Sequence, residues 1–541
     1  MTTRAKIAIV GLDGGTFSVL EPLIRAGAMP TLRRLSETGT QAVLRSTIPA
    51  YTPPAWVSIA TGVNPGRHGV FGFLENTPQE PPRIAHSGSI RAAALWEHVA
   101  AQDATIGVFN VPMTYPPLDV QGFMVAGGLA AGWTDPGMEK TSTDPRIREI
   151  VHRAAGGPYP LDTVVSYEND WGDAAIASQI EAVQRVRRRA LASVLEEVSV
   201  DVLFAVFEGP DRLQHVHYQY LVESSDWYGR PEATEARARA MDYFNELDRA
   251  IADIVEWTGT DGSVVLVSDH GAGPWEKTLN VNLLLDRWGY LALPAASRVT
   301  TTGMLAGAGQ RLARRLLPRR MLLAAKARLN RGISWAQTRA YASQVAEQGI
   351  HINERGSSPL GVVEPADVPV VEAEIIDRLL DLRDPSDGGR IVDRVLRREE
   401  VISGPFAPRA PQLFPLCRDQ RFELSDTIAA TSFLTDHRDR PWGYHHLDGI
   451  FFAAGPAFAA ARRVGPINVV DVLPTVLHGA GFAVPVGLDG DVVNAVLARP
   501  RASRAVVPGG AEETKSSDEY PFSPEDEREI EASLRGLGYL E

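Results

Sequence analysis

Apolar runs short enough to be buried strands alternate with helix-spaced segments along this chain, and that alternation restricts it to a mostly parallel α/β architecture. Lys6 to Leu12 reads as a strand that stops at Asp13, Gly14 and Gly15. Phe17 to Gly27 and Met29 to Thr38 read as helices, the second with Pro30 at its start, where a missing N–H costs nothing. Ala93 to Gln102 reads as a helix and Thr105 to Asn110 as a strand. Asp173 to Val198 and Ala233 to Thr258 are long helices followed or preceded by the strands Asp201 to Phe207 and Ser263 to Val267. Gly449 to Ala454 is a late strand, and Val469 to Gly481 a helix closed by glycine. In open α/β sheets chemistry collects at the carboxyl ends of the strands. Three of these strands run into acidic turns, at Asp13, at Glu208 to Asp211, and at Asp269-His270.

Composition narrows the chemistry. The net charge of −13 argues against binding to a nucleic-acid duplex, which needs clustered Lys and Arg. It leaves room for a small phosphate-ester or nucleotide-like substrate, because a metal supplies positive charge locally. With a single cysteine, Cys417, the chain forms no internal disulfide and no thiolate metal site. Metal ligands must come from His, Asp, Glu or hydroxyl groups. The first apolar run breaks too early for a signal-peptide core, and no run is long enough to span a bilayer, so a cytoplasmic location is expected.

The candidate ligands read two ways. Asp211 and His215 are spaced i, i+4, which puts both on one face of a helical turn, within reach of one ion or in a surface contact. Asp269 and His270 are adjacent and share a site only where their strand ends, which Ser268 and Gly271 permit. Asp13 is also a good turn residue before glycine. His445 and His446 stand side by side in Gly443-Tyr444-His445-His446, and either could be a ligand or a structural hydrogen bonder. Thr52 precedes Pro53 and Pro54, which open helices well; as a cap it would satisfy free N–H groups, and as a nucleophile it would sit beside donors that suit a phosphate.

Taken together, Gly11-Leu12-Asp13-Gly14-Gly15, Thr52-Pro53-Pro54-Ala55-Trp56, Thr61-Gly62-Val63-Asn64-Pro65-Gly66-Arg67-His68-Gly69, Asp211-Arg212-Leu213-Gln214-His215, Ser268-Asp269-His270-Gly271 and Gly443-Tyr444-His445 resemble the type I phosphodiesterase/nucleotide pyrophosphatase family of the alkaline phosphatase superfamily. Asn468 to Thr475 and Leu534 to Tyr539 are similar to its bacterial members. The resemblance implies an alkaline-phosphatase-like sheet sandwiched by helices, with two divalent metal ions, zinc above all. One would be held by Asp13, Thr52, Asp269 and His270, the other by Asp211, His215 and His445. His445 is chosen over His446 because the family has Gly-x-His there. Thr52 would then attack phosphorus through a covalent phosphoryl- or nucleotidyl-threonine.

One departure concerns the substrate. The nucleotide pyrophosphatases carry an asparagine shortly after the His-Gly pair, and here Phe73 stands in its place. A phosphomonoesterase or phosphoryl transferase on the same core is the alternative; a non-catalytic binding protein fits less well with a full ligand set. Thr52 also excludes the formylglycine chemistry of sulfatases. The expected organisation is a first part of the catalytic core at 1–295, a basic helical insertion at 296–345, an accessory α/β region at 346–420, a second part of the core at 421–500, and an exposed arm with a docking helix at 501–541. Arginines and lysines between Arg311 and Arg331 make the insertion basic, which suits either a solvated segment or a lid that attracts anions.

Overall fold

The computed structural model describes residues 5–75, 83–127, 140–161, 174–293, 333–342, 348–357, 360–428, 430–499, 505–506 and 520–536. The basic run from Arg311 to Arg331 and most of the arm after 500 lie outside the described residues. The chain divides into two compact units. The first comprises Met1–Val70, Ile84–Pro274 and Pro441–Gly538, and the second Phe71–Arg83, Trp275–Arg440 and Tyr539–Glu541.

The first unit is built on a mixed, mostly parallel sheet. Its strands run in the order Arg462–Arg463, Thr40–Arg45, Asp448–Ala454, Ser263–Val267, Ile7–Leu12, Val202–Phe207, Ile106–Phe109 and Gly122–Val125. Ile7–Leu12 lies at the centre, parallel to both Val202–Phe207 and Ser263–Val267. Asp448–Ala454 is the antiparallel member, set between Ser263–Val267 and Thr40–Arg45. The central strands are apolar on both faces because both are covered. Ile7, Ile9, Phe204, Val206, Val265, Val267 and Phe451 share one core with Trp56, Trp96, Leu473 and Val476 of the helices Thr52–Thr61, Leu95–Ala100 and Val472–Gly479. The long helix Pro231–Thr258 packs on Ile7–Leu12 and Ser263–Val267, and Ala174–Glu197 lies against it. The expected α/β sandwich is therefore present. The helix expected over Glu525 to Leu540 is observed as Pro524–Gly536, with Ile530 and Leu534 fully buried.

The second unit has its own apolar core, in which Leu279, Leu285, Ile350, Val371, Ile375 and Leu413 take part. It contains a four-stranded sheet (Ala340–Ala342, Ile350–Ile352, Leu413–Cys417, Val392–Arg397) and a three-stranded one (Phe422–Ser425, Lys277–Asn280, Leu434–Asp436). Phe73 is a buried residue of this unit's short first segment. No helix among the described residues is long and apolar enough to cross a membrane.

Candidate metal centre

Each candidate side chain is delivered by the end of an element of the first unit. Asp13 follows the central strand, and its amide donates to the Phe207 carbonyl at 3.1 Å. That bond ties the turn to the neighbouring strand, which continues through Glu208 into the helix Gly209–Leu221. Asp211 stands in the first turn of this helix and His215 one turn on, the spacing that places them on one face. Asp269 and His270 occupy the break between Ser263–Val267 and Gly271–Pro274. Gly271–Pro274 pairs antiparallel with Gly443–His446, which sets His445 opposite Ala272.

Thr52 is the first residue of the helix Thr52–Thr61, and Tyr51 is its cap. The structure thus corrects the capping reading of Thr52. Its hydroxyl faces inward, with Oγ1 3.3 Å from Nε2 of His270.

The seven residues converge and are all buried; Thr52, the most accessible, is 7% exposed. Asp13, Asp269 and His270 form one triplet of ligand atoms mutually within 4.8 Å, and Asp211, His270 and His445 another. His215 joins the second group, with Nε2 3.3 Å from Asp211 and 3.2 Å from Nε2 of His445. His270 belongs to both triplets, whereas the sequence resemblance placed it with Asp13, Thr52 and Asp269 alone.

Protonation is legible at His270. Its Nδ1 lies 2.9 Å from the Gly271 carbonyl, which can only accept, so Nδ1 carries the proton. Nε2 lies 3.3 Å from Thr52 Oγ1, 3.3 Å from Asp269 and 3.6 Å from Asp13. A backbone carbonyl that fixes the tautomer in this way is typical of metal-binding histidines.

The acids are short of positive charge. Burial, then repulsion from Asp269 and Asp211, pushes the Asp13 carboxyl well above the usual range. Burial and the Asp211 charge do the same to Asp269. Burial would raise Asp211 too, but the imidazoles of His215, His445 and His270 outweigh it and hold Asp211 low. Burial and the neighbouring His270 keep His445 neutral. Asp13 Oδ1 and Asp269 Oδ2 accept no hydrogen bond. Among the described residues their ion-pair partner is His270, and no Lys or Arg pairs with either. Buried carboxylates with no Lys or Arg partner among the described residues, next to imidazole nitrogens, fit divalent ions well. The set is all oxygen and nitrogen, as zinc accepts.

Residues outside the ligand set hold it in shape. Trp56, one turn after Thr52, donates its indole N–H to Asp13 Oδ2 at 3.0 Å. The indole reaches that position because residue 11 has no side chain; a Cβ on Gly11 would stand 2.3 Å from the Trp56 ring. Gly14, at φ +66°, turns its amide to Asp269 Oδ1 at 3.2 Å, and a Cβ there would stand 3.0 Å from the Asp211 backbone. Trp56 was missed as a functional residue, although it stands in the Thr-Pro-Pro-Ala-Trp run.

The two adjacent histidines separate by strand alternation. His445 turns to Asp211 (3.7 Å), and its ring lies tilted by 39° against that of His270, with centroids 4.1 Å apart. His446 turns away, and its Nδ1 accepts from the Asp448 amide at 3.1 Å.

A family model described as type I phosphodiesterase / nucleotide pyrophosphatase matches residues 7–429. The chain belongs to that family. Its members are phosphodiester and pyrophosphate hydrolases of the alkaline phosphatase superfamily, and this chain is a hydrolase of that type. Phosphonoacetate hydrolase from Sinorhizobium meliloti 1021, solved with phosphonoformate, has a similar fold: TM-score 0.52 at 17% identity, covering 88% of this chain and 96% of that one. Murine ectonucleotide pyrophosphatase / phosphodiesterase 5, in an inactive threonine-to-alanine form with AMP, gives TM-score 0.50 at 13% identity, covering 91% and 99%. At these identities the likeness is one of fold.

Proposed function

We propose that this family member cleaves a phosphodiester or pyrophosphate bond of a small nucleotide-like substrate, with Thr52 as nucleophile and two divalent cations, zinc by preference. The observation that carries the reading is the position of Thr52 Oγ1, 3.3 Å from Nε2 of His270, at the edge of a buried acid–imidazole cluster whose Asp13 and Asp269 pair with no Lys or Arg among the described residues. Asp13, Thr52, Asp269 and His270 would hold one cation, and Asp211, His215 and His445 the other. Bound there, the cations supply the positive charge that makes a threonine hydroxyl acidic enough to react and that offsets charge on phosphoryl oxygens.

The chain's own part is positional. The Thr52 oxygen bonds to phosphorus as the ester oxygen leaves in line, and water then splits the phosphothreonyl ester and restores the hydroxyl. Of the first three helical residues, Pro53 and Pro54 have no N–H, so the Thr52 amide alone can donate outward to a nonbridging oxygen. Phosphonates and AMP, bound by proteins of similar fold, support a small anionic phosphorus substrate. Phe73 offers no amide where the nucleotide pyrophosphatases have one, which keeps a monoesterase as the second reading.

The test is trapping. Acid quench of the metal-loaded enzyme with a nitrophenyl diester should yield a labelled peptide spanning Thr52, absent in Thr52→Ala. Label on another residue would refute the nucleophile. A parallel screen of dinucleotides, nucleotide sugars, diesters and monoesters ranks the substrate classes; a monoester turned over best would select the second reading.

A further inference from the structure

His68 is the one buried histidine of the motif run around Thr52 that the proposed chemistry leaves unused. It is fully buried at the end of the loop that returns from the Thr52 helix, between Asn64, which caps the short turn Pro65–His68, and Gly69 at φ +81°. Its Nδ1 accepts the Val70 amide at 3.2 Å. An amide only donates, so the ring proton is on Nε2. Nε2 lies 3.0 Å from Ser58 Oγ, and the Pro54 backbone also bears on the ring. Both partners belong to the first two turns of the helix whose first residue is Thr52.

We infer that His68 is a positioning residue: a neutral imidazole that fixes the loop after the Thr52 helix to that helix's first turn, and so holds Thr52 Oγ1 at its distance from His270. The inference rests on the reading of Thr52 as nucleophile. The two prolines after Thr52 leave the first turn few N–H groups through which neighbouring elements can hold it. The turn therefore depends on contacts from outside the helix. His68 supplies them through its ring N–H, and Trp56 supplies another through Asp13. Burial pushes the imidazole down to about 3, against the smaller opposing effects of the Pro54 bond and the Asp489 charge, so the ring stays neutral over the working pH range. A permanently neutral donor fixes geometry without titrating.

The test uses the metal-loaded full chain and four variants. His68→Leu keeps bulk and removes both bonds. A displacement of ~1 Å costs on the order of 100-fold in rate, so kcat per folded, metal-loaded enzyme should fall by about that much, with KM within ~3-fold. His68→Gln places its amide near Nε2 and should recover most of the loss. His68→Asn reaches only as far as Nδ1 and should stay low. Ser58→Ala removes the Oγ partner but leaves the Pro54 backbone beside the ring, and should cost only a few-fold. The pH profiles of wild type and His68→Gln should have the same limbs.

His68→Leu with a lowered melting temperature but wild-type kcat would overturn the role, since a merely structural residue behaves that way. Equal activity in the Gln and Asn variants would overturn it too, and it decides the matter even if His68→Leu does not fold. An acid limb that shifts in His68→Gln would make His68 a titrating group instead. Thr52→Ala is measured alongside: turnover surviving there refutes the nucleophile, whereas an inactive Thr52→Ala beside a fully active His68→Leu refutes His68 alone.

Discussion

Two sets of buried acids in this molecule are treated in opposite ways. In the second unit, Asp384 is 1% exposed and fully served by the protein. Lys277 Nζ donates to it at 2.5 Å, and the amide and hydroxyl of Ser386 at 2.9 and 2.8 Å. Burial would raise its carboxyl, but these donors hold it down at about 2. In the first unit, Asp13 and Asp269 are equally buried and face the His270 imidazole and each other. A chain that can build the first arrangement and leaves the second short of charge has kept a place for cations. Burial of an acid is therefore uninformative by itself; its counter-charge separates a structural pair from a ligand set.

The largest expected effect breaks the second arrangement at its reactive atom. Thr52→Ala should lower kcat by about a thousandfold or more, in the range that loss of a covalent nucleophile produces, while six of the seven ligands and most of the bound metal remain. Turnover within ~10-fold of wild type, only ~1.4 kcal/mol in the barrier, would reduce Thr52 to an ordinary helix residue.

Next comes the pair of neighbouring histidines. His445→Ala should lose activity by about 100-fold, the upper range for disturbing a metal site, together with bound metal. His446→Ala should change kcat only a few-fold, because its ring accepts from the Asp448 amide on the other side of the strand. The reverse order, read from kcat and metal content, would move the ligand by one position.

In the second unit the expected loss is of stability. Lys277→Met leaves Asp384 buried without its cation and should destabilise that unit by about 3–5 kcal/mol. Hydrogen exchange in the strand Lys277–Asn280 should quicken, and a chelator should not alter the difference. A chelator-sensitive difference would mean that the two acid sets are not independent.

The smallest effect is the pH response of the same pair. Asp384 has a folded value near 2, below the unfolded value of ~3.9. Its contribution is therefore present above pH ~3.9 and lost as pH falls toward 2, by at most ~2.6 kcal/mol. Between pH 5 and pH 3, wild type should lose more protection in the second unit than Asp384→Asn. Equal losses would remove the ion pair from the account.

Much of the first unit was legible because its strands are continuous apolar runs and its helices carry clear spacing. Ser263–Val267 falls where its sequence says, and Ile7–Leu12 within one residue. Thr40–Arg45 was not legible: its alternation of half-buried Gln41 and Val43 with buried Ala42 and Leu44 is weak, and its partner Asp448–Ala454 comes about four hundred residues later. Gly443–His446 was read as a motif rather than as a strand, since Gly-Tyr-His-His has no strand pattern of its own and gains strand form by pairing with Gly271–Pro274. That pairing also turns the two histidines to different partners, which spacing alone left open. The seven ligand candidates were legible through the family's motifs; the supporting Trp56 and Gly11 were not, because their role lies in a contact between residues far apart in sequence.

The most direct measurement of the central claim is metal content of the purified, desalted protein by plasma mass spectrometry. The account predicts two equivalents of divalent metal in wild type, close to two in Thr52→Ala, and fewer in Asp13→Asn and Asp211→Asn, with activity following metal on chelation and return. Full activity in protein that holds no divalent metal would contradict it.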